Sequence, residues 1–407
     1  MMPKLAKRPL AFLFCAAFIL FSSIVLASDE AAIKPLFPVA LSQDIPEAKA
    51  SFEEIRGLIL KNYYSPTLTE DALYYAAIKG MLRHVSPPEH PDLAQLWTPD
   101  QYAQVVDSLK GEQVSIGIRT TFNPVEGSLT VSEVMPDSPA DMLLKPHDRI
   151  LRINGQSLAG KKITEVSELL DGPEGTQVAL TVNRDIQVFE VTLKCQKVAT
   201  QNLVVTLLDA TTAVMELKKF TLGIADEMKA ELDKLATQGV SRLILDLRGN
   251  GGGIFEESLK VSELFLPAKS IMIRVVQKDS KVRAVASSNE NPARFTMAVL
   301  IGRGTASSAE VVASALQDHG RAFLVGGRTY GKGVFETTFA TDNGYRVKFI
   351  TGAMYSPKGR SWQTNGLLPD FLADTDERTT AALLKLDPKT RYPRDVAMIT
   401  AVKLLTR

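Results

Sequence analysis

The spacing of hydrophobic positions changes twice along this chain. Between Asp44 and Lys110 they recur at helical intervals, Phe52, Ile55 and Ile59, then Leu73, Ala76 and Ala77, broken by the turn Pro87-Pro88-Glu89-His90-Pro91. From Gly111 to Ala199 short strands replace them: Leu129 and Val131, Ile150 to Ile153, then Val178, Leu180 and Val182 alternating with Thr181 and Asn183. From Gln201 to Asp374 helices alternate with buried strands. Ile224, Met228, Leu232 and Leu235 share one helical face, and Leu243-Ile244-Leu245 and Met297 to Ile301 are unbroken apolar runs. Val396 to Leu405 is a short amphipathic helix suited to packing. The pattern predicts a multidomain α+β chain: a small helical region over 28–110, a β-rich module over 111–199, an α/β layered core over 200–388 and a C-terminal helix over 389–407.

Residues 1–27 are expected to address the protein rather than fold. Lys4, Lys7 and Arg8 precede an apolar run from Leu10 to Leu26, and Val25-Leu26-Ala27 has the small residues of a cleavage site before Ser28. This reads as a signal peptide, so the mature chain is expected to be exported and periplasmic; retained, the same segment would be a membrane anchor. Removal would leave Cys195 without Cys15, and hence no internal disulfide. Cys195 ends the strand beginning at Phe189 and is expected to be a structural thiol.

The 407 residues are 45% hydrophobic and 23% charged, enough for several cores. Lys plus Arg number 47 against 46 acidic residues, which gives no electrostatic footprint for nucleic acid. No metal-ligand spacing occurs, and no cofactor is expected. The helical region suggests packing or self-association into a homo-oligomer.

Within the β-rich module, Asp137-Ser138-Pro139-Ala140-Asp141 reads as the capped start of a short helix. Lys145 to Gly155 reads as a turn, a strand and a second turn. This ordered set resembles a PDZ domain, with Ser115-Ile116-Gly117-Ile118 where such a domain has its carboxylate-binding loop. The resemblance implies that backbone N–H groups there receive a chain terminus while the bound peptide adds as a strand.

The strand ending at Leu247 runs into Arg248-Gly249-Asn250-Gly251-Gly252-Gly253, beyond the carboxyl end of a strand where α/β sheets bind ligands. The Gly-Lys-Ser/Thr ending of a phosphate loop is absent, which leaves an oxyanion hole or a plain tight turn. Ser307, within Gly304-Thr305-Ala306-Ser307-Ser308-Ala309-Glu310, opens a helix whose inward face is Val311, Val312, Ala315 and Leu316. Alone, Ser307 and Ser308 fit helix caps as well as a nucleophile. Lys332, between Gly331 and Gly333, favours the nucleophile, though a lysine serves as a base only where burial or neighbouring cations neutralise it. Among the histidines, His84, His90, His147 and His319, the last keeps a Ser-His-Asp arrangement open. Asp318 is either an orienting carboxylate or a simple helix-end residue.

Together, Asp246-Leu247-Arg248 with its glycine loop, Thr305-Ala306-Ser307 with Glu310, Leu316-Gln317-Asp318, Gly331-Lys332-Gly333, Tyr355 to Arg360 and Gly366 to Asp370 resemble the carboxyl-terminal processing peptidases, S41-type serine peptidases with a PDZ domain. The resemblance implies Ser307 as nucleophile, Lys332 as general base, and the N–H groups of Gly252 and Ser308 as an oxyanion hole. It implies an endopeptidase whose substrates are proteins or peptides with exposed C-terminal tails. Glu336 stands where that family has a glutamine that orients the lysine, and Gly251 stands where it has proline. Ser308-Ala309 replaces an alanine-serine pair, and the family's Asp-Pro-His-Ser segment is missing around Ser86-Pro87-Pro88. A carboxylate at 336 would favour the charged lysine. Two other classes therefore stay open: a tail-binding scaffold with a weakened site, and a small-ligand-binding protein that reuses the same core.

Overall fold

The computed structural model describes residues 47–87 and 90–406. The expected signal peptide lies outside the described residues. The helical region contains α1 (Ala48–Asn62), α2 (Glu70–His84), β1 (Gln95–Trp97) and α3 (Pro99–Leu109). Local signals set these helices: Thr69 Oγ1 accepts the Ala72 N–H at 3.2 Å, and Thr98 and Gln101 form a reciprocal capping box. The helical spacing is as expected, but the apolar positions are not covered. Ile55 is 55% exposed, Phe52 40%, and neither α1 nor α2 has a buried residue.

Next come β2 (Glu112–Ser115), β3 (Ile118–Asn123), β4 (Ser128–Val134), β5 (Arg149–Ile153), β6 (Gln156–Ser157), α4 (Ile163–Leu170), β7 (Gln177–Arg184), β8 (Gln187–Lys194) and β9 (Gln196–Ala199). The main sheet runs β3-β4-β5-β7-β8, and β2 pairs with β9, Glu112 opposite Ala199. The period-2 pattern sends Leu129, Val131, Ile150, Ile153, Val178, Leu180 and Val182 into one core. Cys195 is buried there as an inert thiol, its ionisation pushed up first by burial.

The expected short helix at Asp137–Asp141 is instead a run of turns. Asp137 (φ 57°) and Met142 (φ 65°) both adopt left-handed backbone, so α-helical hydrogen bonding cannot propagate through them. A single turn survives, with Leu144 N–H donating to Ala140 O at 2.9 Å.

The remainder comprises β10 (Leu203–Leu207), β11 (Thr212–Leu217), α5 (Ile224–Thr237), β12 (Arg242–Asp246), α6 (Phe255–Phe265), β13 (Ile271–Gln277), β14 (Val282–Ala286), β15 (Thr296–Ile301), α7 (Ser308–Asp318), β16 (Phe323–Gly326), β17 (Val334–Ala340), β18 (Arg346–Tyr355), β19 (Phe371–Leu372), α8 (Glu377–Leu383), α9 (Pro388–Arg391) and α10 (Val396–Leu405). One sheet has the order β10-β11-β12-β15-β16-β19, parallel from β11 to β19. Its central strands β11, β12 and β15 are buried on both faces, which is why Leu243 to Leu245 and Met297 to Ile301 read as continuous apolar runs. One face carries the core shared with α5, α6 and α7, and the other packs Ala397, Met398 and Ala401 of α10. α7 is apolar or small almost all round because it is buried throughout. A second, antiparallel sheet of β1, β18, β13 and β14, with β17 paired to β18, carries the residues that follow Lys332.

Candidate active site

The carboxyl ends of β12 and β15 lie side by side, so the loops that follow them converge. The first is Arg248 to Gly253 and the second leads to Ser307. They are stitched together: Ala306 N–H donates to Asn250 O at 3.0 Å, and Thr305 Oγ1 donates to Leu247 O at 2.8 Å. Gly252 is required by close approach, since a Cβ there would lie 3.0 Å from Ser307 Cβ and 3.1 Å from Ala306 O. Gly253 is tighter still, its absent Cβ falling 2.2 Å from Phe220 O.

Ser307 is the residue before α7 and sits at φ 55°, ψ −119°, a backbone conformation that costs energy in a non-glycine residue. Ser307 is the N-cap residue of α7: its N–H is donated to Glu310 Oε2 in the manner of a capping box, while its hydroxyl makes no side-chain cap hydrogen bond. Ser308 N–H, the first of α7, lacks an intrahelical acceptor as N-terminal amides do. Ser308 Oγ donates to Gly253 O at 3.1 Å.

Glu310 was named by the sequence only as part of a motif, and the structure gives it a larger part. It is fully buried and its carboxylate accepts from Ser307 N–H at 2.8 Å, Lys332 N–H at 2.9 Å, Gly331 N–H at 2.8 Å and Thr329 Oγ1 at 2.6 Å. Burial pushes its carboxyl above the usual range, against these four donors that favour the ionised form. One side chain thus anchors the backbones of both Ser307 and Lys332.

Lys332 is also held through its carbonyl, which accepts from Trp362 Nε1 at 3.0 Å. Its Nζ lies 2.8 Å from Glu336 Oε1, with 21% and 10% of the two side chains exposed. The charges touch, but no donor is well aligned on Oε1. Lys348 approaches the same oxygen at 3.9 Å, its Nζ 5.3 Å from the centre of the Trp97 ring.

The glycine loop brings Gly252 beside Ser307, but its N–H is already donated to Asn250 Oδ1 at 2.8 Å. Asn250 is itself fixed by donating to Leu217 O at 2.9 Å. An incoming oxyanion would have to draw the Gly252 N–H away from Asn250. In the PDZ loop, Gly117 N–H donates to Ser115 Oγ at 3.2 Å, Gly117 O accepts from Met135 N–H, and Ile116 O accepts from Ala140 N–H. Ile116 is buried, and Gly117, at φ 82°, presses against Ser138. Ile118 begins β3.

The His319 alternative does not survive. His319 caps the far end of α7, about 16 Å from Ser307 along an eleven-residue helix, and its Nε2 contacts Ile271 O at 2.7 Å. Asp318 also sits at that end, where it accepts the Lys358 N–H at 2.8 Å and pairs with Arg360. It orders the 356–360 turn and does not face Ser307.

Sequence reasoning missed a buried charge network beneath the glycine loop. Arg248 pairs with Asp246 at 2.8 Å and Asp395 at 2.7 Å, and Arg391 reaches Asp246 at 2.7 Å and Glu216 at 2.6 Å. Burial opposes ionisation of Asp246, but Arg248 and then Arg391 hold its carboxyl below the usual range. Asp246 and Arg248 are two residues apart and Arg391 and Asp395 four, but no local spacing joins the first pair to the second.

Comparisons with known proteins match the two modules of the fold. The model of peptidase family S41 matches residues 211–373, and a PDZ domain model matches residues 130–184. A protein described as "Probable CtpA-like serine protease" from Staphylococcus haemolyticus is 26% identical over 349 residues, 85% of this chain and 69% of that protein. Its counterpart from Staphylococcus aureus is 29% identical over 321 residues, 78% of this chain, and the chain spans 63% of that relative's length. Among solved structures, the photosystem II D1 C-terminal processing protease aligns over 85% of this chain and 100% of its own at TM-score 0.50 and 23% identity, a likeness of fold.

Proposed function

Because the chain belongs to serine peptidase family S41 and carries a PDZ domain, we propose that it is an exported endopeptidase that recognises the C-terminal tails of its substrates and cleaves them through an acyl-enzyme on Ser307. The observation that carries this reading is the Glu310 carboxylate, which binds the backbone N–H groups of Ser307 and Lys332 together. A buried anchor shared by a strained serine and a lysine is what a Ser-Lys pair needs for fixed geometry.

In this mechanism Ser307 Oγ attacks the scissile carbonyl and its proton passes to neutral Lys332 Nζ, which then protonates the leaving amine. Water, deprotonated by the same amine, hydrolyses the ester. The tetrahedral oxygen is received by Ser308 N–H and by Gly252 N–H once Asn250 releases it, a donor pair in which each member is worth about 10²–10³ in rate. The Ser115–Ile118 loop receives the tail terminus while the peptide adds along β3, the end strand of its sheet. Export rests on the basic and apolar pattern of residues 1–27.

The Lys332–Glu336 contact supports a second reading, a tail-binding scaffold of the same family with a weakened site, because the ion pair at 2.8 Å occupies the amine that would have to act on Ser307. A serine-directed fluorophosphonate separates the two. The proposed enzyme is expected to gain one adduct, mapped to Ser307, that Ser307→Ala lacks and Lys332→Ala slows. A wild type that stays unlabelled while binding tail peptides fits the scaffold.

A further inference from the structure

Resting on the reading that substrate lies along β3, we infer that the cavity between the PDZ module and the peptidase core binds a carboxylate of the substrate peptide, and that Lys218 selects for it. The cavity, about 560 Å³, is walled by Arg119 and Thr121 of β3 on one side and by Glu216 and Lys218 at the end of β11 on the other, and it reaches Gly249 of the glycine loop.

The charges around it are unequally satisfied. Asp246 is held by two arginines, Glu216 lies 2.6 Å from Arg391, and Asp387 accepts the Thr390 N–H at 3.1 Å in capping α9. Arg119 sits 3.3 Å from Glu133. Among the described residues the Lys218 ammonium makes neither a hydrogen bond nor an ion pair. Glu216 and Glu133 act on it only at longer range, and burial followed by the Arg119 cation pushes its amine below the usual lysine range. An anion entering the cavity would meet a half-buried cation that lacks a partner and stands near two guanidinium groups. That is the setting in which a charge-assisted hydrogen bond is strongest.

The path of the cavity identifies the anion as part of a peptide. β3 pairs with β4 alone among the described residues, so its other edge can take an added strand. The lining also includes Gly249 of the loop whose Gly252 packs on Ser307. A chain running from β3 to Ser307 through this cavity would lie within reach of Lys218. Its carboxylate is an Asp or Glu side chain, since the free terminus is received by the Ser115–Ile118 loop in the proposed function.

The test uses the full mature chain carrying Ser307→Ala, so that binding is read without turnover. The probes are four fluorescein-labelled ten-residue peptides of alanine, serine and leucine, with a central Glu or Gln and a free or amidated C-terminus. Anisotropy is expected to give about tenfold tighter binding for the Glu peptides over their Gln counterparts. The acid/amide pair reports separately on the Ser115–Ile118 loop. Lys218→Met is expected to abolish the Glu preference, Lys218→Arg to retain it, and Lys218→Met to leave the melting temperature unchanged or raised, since it removes an unpaired buried cation. Equal binding of the Glu and Gln peptides, no binding at all, or a Glu preference that survives Lys218→Met overturns the inference. Cleavage of the four peptides by the protein with Ser307 intact reports separately on the proposed peptidase: turnover without a charge preference sinks only the role of Lys218.

Discussion

A lysine accepts a proton from serine only while its amine is neutral, and Lys332 meets a carboxylate 2.8 Å away. The ion pair engages the very amine that would have to take the serine proton, and with 10% of the Glu336 side chain exposed the contact is weakly screened. Lys348, 3.9 Å from the same oxygen, offers Glu336 a second cation and so a way to let go of Lys332 without losing all compensation. Glu336→Gln removes the charge and keeps the shape and a hydrogen-bonding group. It is expected to raise kcat/KM on an unstructured protein substrate about tenfold or more at neutral pH. An unchanged or lower rate would mean that Glu336 holds Lys332 in place rather than holding it back. Glu310, by contrast, touches only backbone and Thr329, so its part is to position Ser307 and Lys332.

At the scale of elements, the glycine loop is fixed from below by the carboxyl-terminal segment. Asp395 caps α10 by accepting the Met398 N–H at 3.1 Å and receives both terminal nitrogens of Arg248, at 3.0 and 2.7 Å. Asp395→Ala uncaps the helix and leaves a buried guanidinium under-compensated, at a cost of about 3–5 kcal/mol. Differential scanning calorimetry is expected to show a loss of several degrees in the core transition; a change under one degree would contradict the clamp. This network also marks where the sequence stops being informative. Ser307 before a buried helix and Lys332 between glycines are local patterns, and period alone placed α5, β12, β15 and the inward faces of β4, β5 and β7. The pairing of Arg248 with Asp395 joins distant positions, and no interval in the chain encodes it. The Asp137 turn misled because capping residues signal a helix start only when φ stays negative, and Asp137 and Met142 do not comply. In α1 and α2 the period was right, but it carries no information on whether a partner covers the face.

For the whole molecule, β3 of the PDZ module and the loop behind Ser307 border one cavity. β3 lines the cavity, the cavity reaches the glycine loop, and that loop backs Ser307. The proposed function uses this arrangement: a loose chain end held at β3 would have the cavity between it and Ser307. The most direct measurement is cleavage of a reduced, unfolded protein with a free C-terminal tail by the mature chain and by Ser307→Ala and Lys332→Ala at equal concentration, followed by mass spectrometry. The account predicts discrete fragments from the wild type and a loss of at least about 10³-fold in rate in each variant. Fragments produced at the wild-type rate by Ser307→Ala would contradict it.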